Sequence, residues 1–252
     1  MLRLPTGPML LAAILLGGAS LAGPAAAQAT FNPAQRTEIE QIIKQYLVKN
    51  PEVLQEAISE LEKRQQESQR TAQQAMLAQA GQALFNSPHG SVFGNPAGDV
   101  TLVEFFDYNC GYCKRALADV RALIKADPKL KVVMRDLPVL GPDSVEASRV
   151  ALAAKQQMSG DKLFEYHSRL LESRGRIGAE RATSLAKEMG LDMARLQRDI
   201  GGDAVKAAIA ENSDLGEKLA LTGTPAFVVG TEVISGAVGA EALAQAIALA
   251  RK

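Results

Sequence analysis

The chain of 252 residues has no tryptophan, only two cysteines and two histidines, and no excess of either charge. Lys and Arg number 28 against 28 Asp and Glu, so there is no bulk positive charge to attract nucleic acid or an anionic membrane surface. Two cysteines cannot staple a small disulfide-rich scaffold. Two thiols and two distant imidazoles, His89 and His167, fall short of the four ligands of a closed zinc site. Covalent haem attachment needs a histidine after the second cysteine, and Lys114 stands there instead. No cofactor is therefore expected. Apolar residues make up 47% and charged residues 22%, values that exclude disorder as the main state.

Long apolar runs are also missing. Residues 9–21 form a run of about 13, below the roughly 20 that span a bilayer. With Arg3 before it and Ala25-Ala26-Ala27 after it, the segment 1–27 reads as a secretory signal peptide cut before Gln28. No second run of spanning length follows, so a soluble, exported mature protein is expected. Outside the cytosol disulfides persist, and a thiol pair becomes a redox decision.

Residues 28–86 read as an all-α extension. Asn32-Pro33 supplies a cap and a first-turn proline, and Ile39, Ile42, Ile43, Tyr46 and Leu47 follow at helical spacing. Asn50-Pro51 ends that helix and starts another, with Leu54, Ala57, Ile58 and Leu61 as its stripe. Residues 62–75 hold no large apolar side chain, yet all are fair helix formers. Leu77, Ala80 and Leu84 resume a narrow stripe. Stripes this short cannot form a core of their own. They must pack on the domain that follows or on copies of themselves: self-association through residues 39–61 is expected, with the polar stretch as a solvated connector, the alternative being a helix lying across the following domain. A boundary is expected at Asn86-Ser87-Pro88.

From residue 87 to 252 the pattern becomes α/β. Residues 100–107 read as a buried strand, 110–126 as a helix and 130–135 as a second strand, a βαβ unit with parallel strands. Residues 143–221 read as four or five helices broken at Gly160, Gly175, Gly190 and Gly201-Gly202. Ala151, Phe164, Leu171, Leu185, Leu196 and Ile209 are their expected core anchors. Two short strands, 226–229 and 232–235, and a last helix over 240–251 close the chain.

Chemistry is concentrated in Cys110-Gly111-Tyr112-Cys113 at the junction of a strand and a helix. Unpaired N–H groups at a helix start favour negative charge, which suits Cys110 as the attacking thiolate of thiol–disulfide exchange. Cys113, nearly one turn further on, is placed to resolve a mixed disulfide. A structural disulfide closing so short a loop adds little stability. Glu104 lies inside the apolar strand, and burial raises a carboxyl pKa. It is a candidate proton relay for Cys113, the bland alternative being a salt-bridged strand residue. Thr224-Pro225 precedes a short strand. Taken alone it is an ordinary trans turn; with the cysteine pair it becomes a candidate for binding an extended peptide through the Thr224 backbone.

In this order, Glu104-Phe-Phe-Asp-Tyr-Asn-Cys110-Gly-Tyr-Cys113 and Gly223-Thr-Pro225-Ala-Phe227 resemble the DsbA-like thioredoxin-fold family of periplasmic disulfide enzymes. The resemblance implies a thioredoxin fold with a helical insertion, a cis peptide at Pro225, and a substrate surface made by Gly111, Tyr112, Thr224 and Pro225. The helical extension is similar to that of the ScsC-like and Com1-like branch, some of whose members are trimeric isomerases. It implies a homo-oligomer with a trimer favoured, protein substrates carrying disulfides or thiols, and a membrane redox partner. Gly111-Tyr112 and Thr224 depart from the Pro-His pair and the valine of the oxidase DsbA and match the isomerase DsbC. Without the imidazole the couple should be less oxidising than the about −120 mV of DsbA. The expectation is a periplasmic disulfide isomerase or reductase. The alternatives are a dithiol oxidase, and a scaffold that holds clients or binds Cu(I) at Cys110 and Cys113.

Overall fold

The computed structural model describes residues 31–252; the segment expected to be a signal peptide lies outside them. Asn32 opens α1 (Pro33–Lys49) with a reciprocal cap. Its side chain accepts from the Gln35 N–H at 2.9 Å, and the Gln35 side chain accepts from the Asn32 N–H at 3.0 Å. Asn50 ends the helix, its N–H returning to the Tyr46 carbonyl. Beyond Pro51, α2 (Glu52–Asn86) runs unbroken for 35 residues, about 50 Å at about 1.5 Å per residue.

The described residues divide into two compact units, one ending at Leu61 and the other spanning Glu62–Lys252. No described residue of the first unit is buried, and Ile42, Ile43, Tyr46, Leu54, Ile58 and Leu61 all stand exposed. The second unit starts at Glu62, so the end of α2 belongs to its core. Leu77 and Leu84 are buried against Val103, Phe105, Val133 and Val228, covering one face of the sheet. Only residues 62–75 behave as the solvated stretch that the sequence predicts, and they too belong to this unit.

That sheet has five strands: β1 (Ser91–Gly94), β2 (Val100–Phe106), β3 (Leu130–Asp136), β4 (Ala226–Val229) and β5 (Glu232–Ser235). Their order is β1-β3-β2-β4-β5, with β2 and β3 parallel in register from Val100↔Leu130 to Phe106↔Asp136. The strand β1 was not expected. It is four residues long and only Phe93 is buried, too little for an alternating pattern to show. The other face carries Leu102, Phe106, Val132 and Met134, packed with α3 (Gly111–Ala126) and the helical insertion. The insertion comprises α4 (Pro142–Ala154), a 3₁₀ turn, α5 (Gly160–Glu172), α6 (Ala179–Glu188), α7 (Met193–Ile200) and α8 (Asp203–Lys218). Ala151, Leu171, Leu185 and Leu196 are buried in it, while Phe164 and Ile209 are only partly covered. The last helix, α9 (Ala240–Ala250), packs Leu243 and Ile247 into the same core. No helix among the described residues is long and apolar enough to cross a membrane.

Two helix ends make one motif with different residues. After α6, Gly190 at φ 75° donates to the Lys187 carbonyl and Leu191 donates to that of Ala186. After α8, Ala220 at φ 51° donates to the Glu217 carbonyl and Leu221 to that of Gly216. Both are Schellman caps, a left-handed position that glycine fills without a Cβ clash. Ala220→Gly is therefore expected to stabilise the protein by about 1 kcal/mol, read as a higher urea midpoint. A midpoint lowered by the change would contradict the reading.

Candidate active site

The site is built at the C-terminal end of β2. Phe106 ends the strand, a tight turn follows, and the Cys110 N–H closes it on the Asp107 carbonyl at 3.0 Å. Cys110 is the cap residue of α3 in an extended conformation, and its carbonyl accepts from the Lys114 N–H at 3.0 Å. The Cys110 thiol donates to the Thr224 carbonyl at 3.0 Å. Thr224 is half-buried, Pro225 is buried, and the peptide bond between them is cis, as the resemblance implies. Gly111 and Tyr112 face solvent, with the Arg115 guanidinium 4.3 Å from the centre of the Tyr112 ring.

Cys113 is fully buried, while Cys110 keeps a sliver of exposure at 7%. Burial pushes the Cys113 thiol well up, and the nearby Glu104 charge adds to the effect. Glu104 is buried with neither carboxyl oxygen hydrogen-bonded. Burial raises its pKa to about 8, with the charges of Cys110 and Asp119 acting in the same direction. Both groups are held towards their protonated forms, since each would place an uncompensated charge beside the other. The salt-bridged alternative for Glu104 is not what the structure contains. The sequence reading thus brings Cys110, Cys113, Glu104 and Thr224 into one place.

Asp136 is a second buried carboxyl on the same sheet face, raised to about 7 by burial against the opposing influence of Ser148 and Lys155. The sign for stability follows from the proton count. Unfolded, both acids ionise near 4; folded, they keep their protons to about 7 and 8. The native state binds more protons in between, so stability falls as pH rises from about 4 to about 8. Glu104→Gln should flatten this dependence and raise the urea midpoint at pH 8 relative to pH 5. An unchanged pH profile would show that Glu104 does not titrate in this range.

The sequence reading missed the network around Asp107. This carboxylate is fully buried and takes four donors. The Asn109 N–H and the Ser144 hydroxyl reach Oδ1, both at 2.8 Å. The N–H groups of Val139 and Leu140 reach Oδ2 at 2.9 and 3.0 Å. Asn109 in turn pairs through its side chain with both backbone groups of Ile177 at 2.7 and 2.8 Å. An aspartate two residues before a turn amide is a local signal for such a bond; its long-range donors have none. His167 was weighed as a metal ligand and is instead packed among Phe93, Phe106 and Tyr108, its pKa pushed down to about 3 by burial. His89 lies 3.9 Å from Glu211. Among the described residues, no group of three or more His, Cys, Asp or Glu side chains converges as metal ligands.

Comparison with known proteins agrees with this geometry. Residues 101–248 match the model of the DSBA-like thioredoxin domain, and residues 35–67 match the copper resistance protein ScsC N-terminal domain. A thioredoxin-like oxidoreductase from Silicibacter pomeroyi is 45% identical, with TM-score 0.64 over 68% of this chain and 96% of that one. BcfH of Salmonella enterica Typhimurium is 26% identical, with TM-score 0.75 over 87% of this chain and 97% of its own. Among curated proteins, a stretch of 150 residues is 30% identical to part of the Na(+)/H(+) antiporter NhaA 1 of Salinispora arenicola. That match covers 59% of this chain but only 22% of the antiporter's length. The matched domain spans the strand, the cysteine pair, the helical insertion and the cis-proline turn, and the chain belongs to the DSBA-like thioredoxin domain family of thiol–disulfide oxidoreductases.

Proposed function

We propose that the protein reduces and rearranges disulfides of polypeptide clients in the periplasm, with Cys110 as nucleophile. The observation that carries this reading is the placement of Cys110. It is the cap of α3, its sulfur 3.0 Å from the Thr224 carbonyl, one turn before a buried Cys113 within reach of the Glu104 charge. The Cys110 thiolate attacks one sulfur of a client disulfide, which breaks, and the other client sulfur leaves as a thiolate. In isomerisation a client thiol attacks the mixed disulfide and releases Cys110. In reduction Cys113 attacks the Cys110 sulfur, the second client thiol leaves, and Cys110–Cys113 is oxidised. Cys113 must lose its proton for that step, and Glu104 is the buried relay that takes it, in the ionised fraction that grows as pH approaches its raised pKa of about 8. Gly111, Tyr112, Thr224 and Pro225 form the client surface, and a membrane reductase returns the pair to the dithiol.

Self-association through the exposed stripes of residues 39–61 supports isomerisation, because several active sites then surround one client. The match of residues 35–67 to the ScsC N-terminal domain favours this use of the segment. Reactivation of scrambled ribonuclease by the pre-reduced protein tests the reading. Robust reactivation is expected, and loss of it in Ile43→Asp/Leu54→Asp together with a smaller sedimenting species. Since Leu77 and Leu84 are core, any truncation must stop at Leu61. No reactivation by a protein with a reactive Cys110 would move the assignment to a dithiol oxidase, which a mostly oxidised pair in cells would support. The same N-terminal match motivates a second reading, Cu(I) held by the two thiolates. Cu(I) binding unchanged in Cys110→Ser would exclude it.

A further inference from the structure

Three cations border the cysteine pair with no acid to offset them. Lys114 follows Cys113, and its Nζ donates to the Ser173 carbonyl at 3.0 Å, a neutral acceptor. Arg115 is exposed and stacks on the exposed Tyr112 ring, inside the cysteine motif. Arg174 is exposed in the loop 173–178 that joins α5 to α6. Among the described residues, none of the three forms an ion pair with a carboxylate. The acids of the neighbouring segments are already met, Glu172 by Arg121 and Asp143 by Arg176 at 2.7 Å. The formal charge of the whole chain is zero, so this excess is local to the site.

The loop is tied to the cysteine segment at both ends. Asn109, the residue before Cys110, holds both backbone groups of Ile177 at 2.7 and 2.8 Å. Lys114 holds the Ser173 carbonyl, while the Ser173 hydroxyl accepts from Arg181 Nε at 3.1 Å and donates to the Arg169 carbonyl at 2.7 Å. Arg174 stands between these fixed points, where Gly175 at φ 76° turns the chain. On α3, stacking on Tyr112 restrains the Arg115 guanidinium. A guanidinium held before its partner arrives loses less freedom on binding, and its fork matches a carboxylate. We infer that Arg115 and Arg174, with Lys114 adding to the same field, are a specificity element that favours client cysteines flanked by acidic side chains. This rests on the exchange reading of Cys110. The three cations make and break no bonds to sulfur; they act on encounter and on the bound client, by an attraction that salt weakens.

The test uses the full pre-reduced protein and three disulfide-linked peptides that differ only in the residues flanking the cysteine: Glu, Gln or Lys. Each kcat/KM is divided by the rate of the same peptide with dithiothreitol, which removes differences in the peptide's own reactivity. At low ionic strength the parent should prefer Glu over Gln over Lys, with the Glu value about tenfold above the Lys value, mainly through KM. The ratio should shrink towards one at about 0.5 M salt. Arg115→Gln/Arg174→Gln should lower the ratio to about two and leave the Gln peptide at the parental rate. A ratio near one in the parent, a ratio that salt does not move, or a ratio unchanged in the double variant overturns the inference. General damage to the site slows all three peptides together and leaves the ratio as it was, which also counts against it. A parent that reduces none of the three overturns the exchange reading, and this inference with it.

Discussion

Cys110→Ser is expected to abolish exchange with glutathione disulfide, a loss of about a thousandfold or more against the parent. A serine hydroxyl at neutral pH neither ionises usefully nor forms a bond to sulfur that a second thiol can reverse. The change is nearly isosteric, and the Thr224 carbonyl that the thiol meets at 3.0 Å can accept from a hydroxyl instead. Folding should therefore survive, and the far-UV spectrum should match the parent. Cys113→Ser separates the two steps. Attack by Cys110 continues, resolution stops, and a mixed disulfide with glutathione accumulates, visible by mass spectrometry. Substantial exchange by Cys110→Ser would show that Cys110 is not the nucleophile. Prompt turnover without a trapped species in Cys113→Ser would show that Cys113 does not resolve.

Arg135→Ala is expected to destabilise the protein by about 3–5 kcal/mol, the range for removing one partner of a buried charged network. Arg135 stands near the end of β3 with no exposed side-chain surface. One guanidinium nitrogen donates to Glu211 at 2.6 Å and Asn212 at 3.0 Å; the other donates to the Ala83 carbonyl and, at 2.8 Å, to that of Leu84. Those carbonyls belong to the last turn of α2, which has no further helical N–H to meet them. Truncation leaves them and the Asn212 carbonyl oxygen without this donor, and removes the cation that offsets the Glu211 charge. Arg135→Lys keeps the charge but loses the fork, so it should fall between the parent and alanine. Urea denaturation measures the series; a change under about 1 kcal/mol for alanine would show that water satisfies the orphaned groups.

Legibility divides along sequence distance. The Asn32 cap, the Asn50-Pro51 break, the parallel β2 and β3 and the strand-to-helix position of Cys110 were readable because each is set by residues a few positions apart. Glu104 was readable as a lone charge in an apolar strand, but whether a salt bridge met it was not, and the packing leaves both its oxygens unpaired. Asp107 stands in the same strand-end motif and was passed over. Its outside donors, Val139, Leu140 and Ser144, lie 32 to 37 residues away, and no local pattern announces them.

The amino-acid sequence by itself determined the order of most elements, the positions of helix caps, and a cysteine pair at the start of a helix. Those follow from periodicity, capping and turn chemistry, which act over one or two turns of chain. Only the tertiary structure decided that the end of α2 is core and not connector, that β1 joins the sheet edge, and that Arg135 binds groups 51 and 76 residues distant. The reason is the same in each case. A narrow stripe such as Leu77 and Leu84 is apolar in any context, but whether it is buried depends on which uncovered face it meets, and that face is assembled from strands far apart in the chain, Val103 in β2 and Val228 in β4 lying side by side with Leu84 in the same cluster.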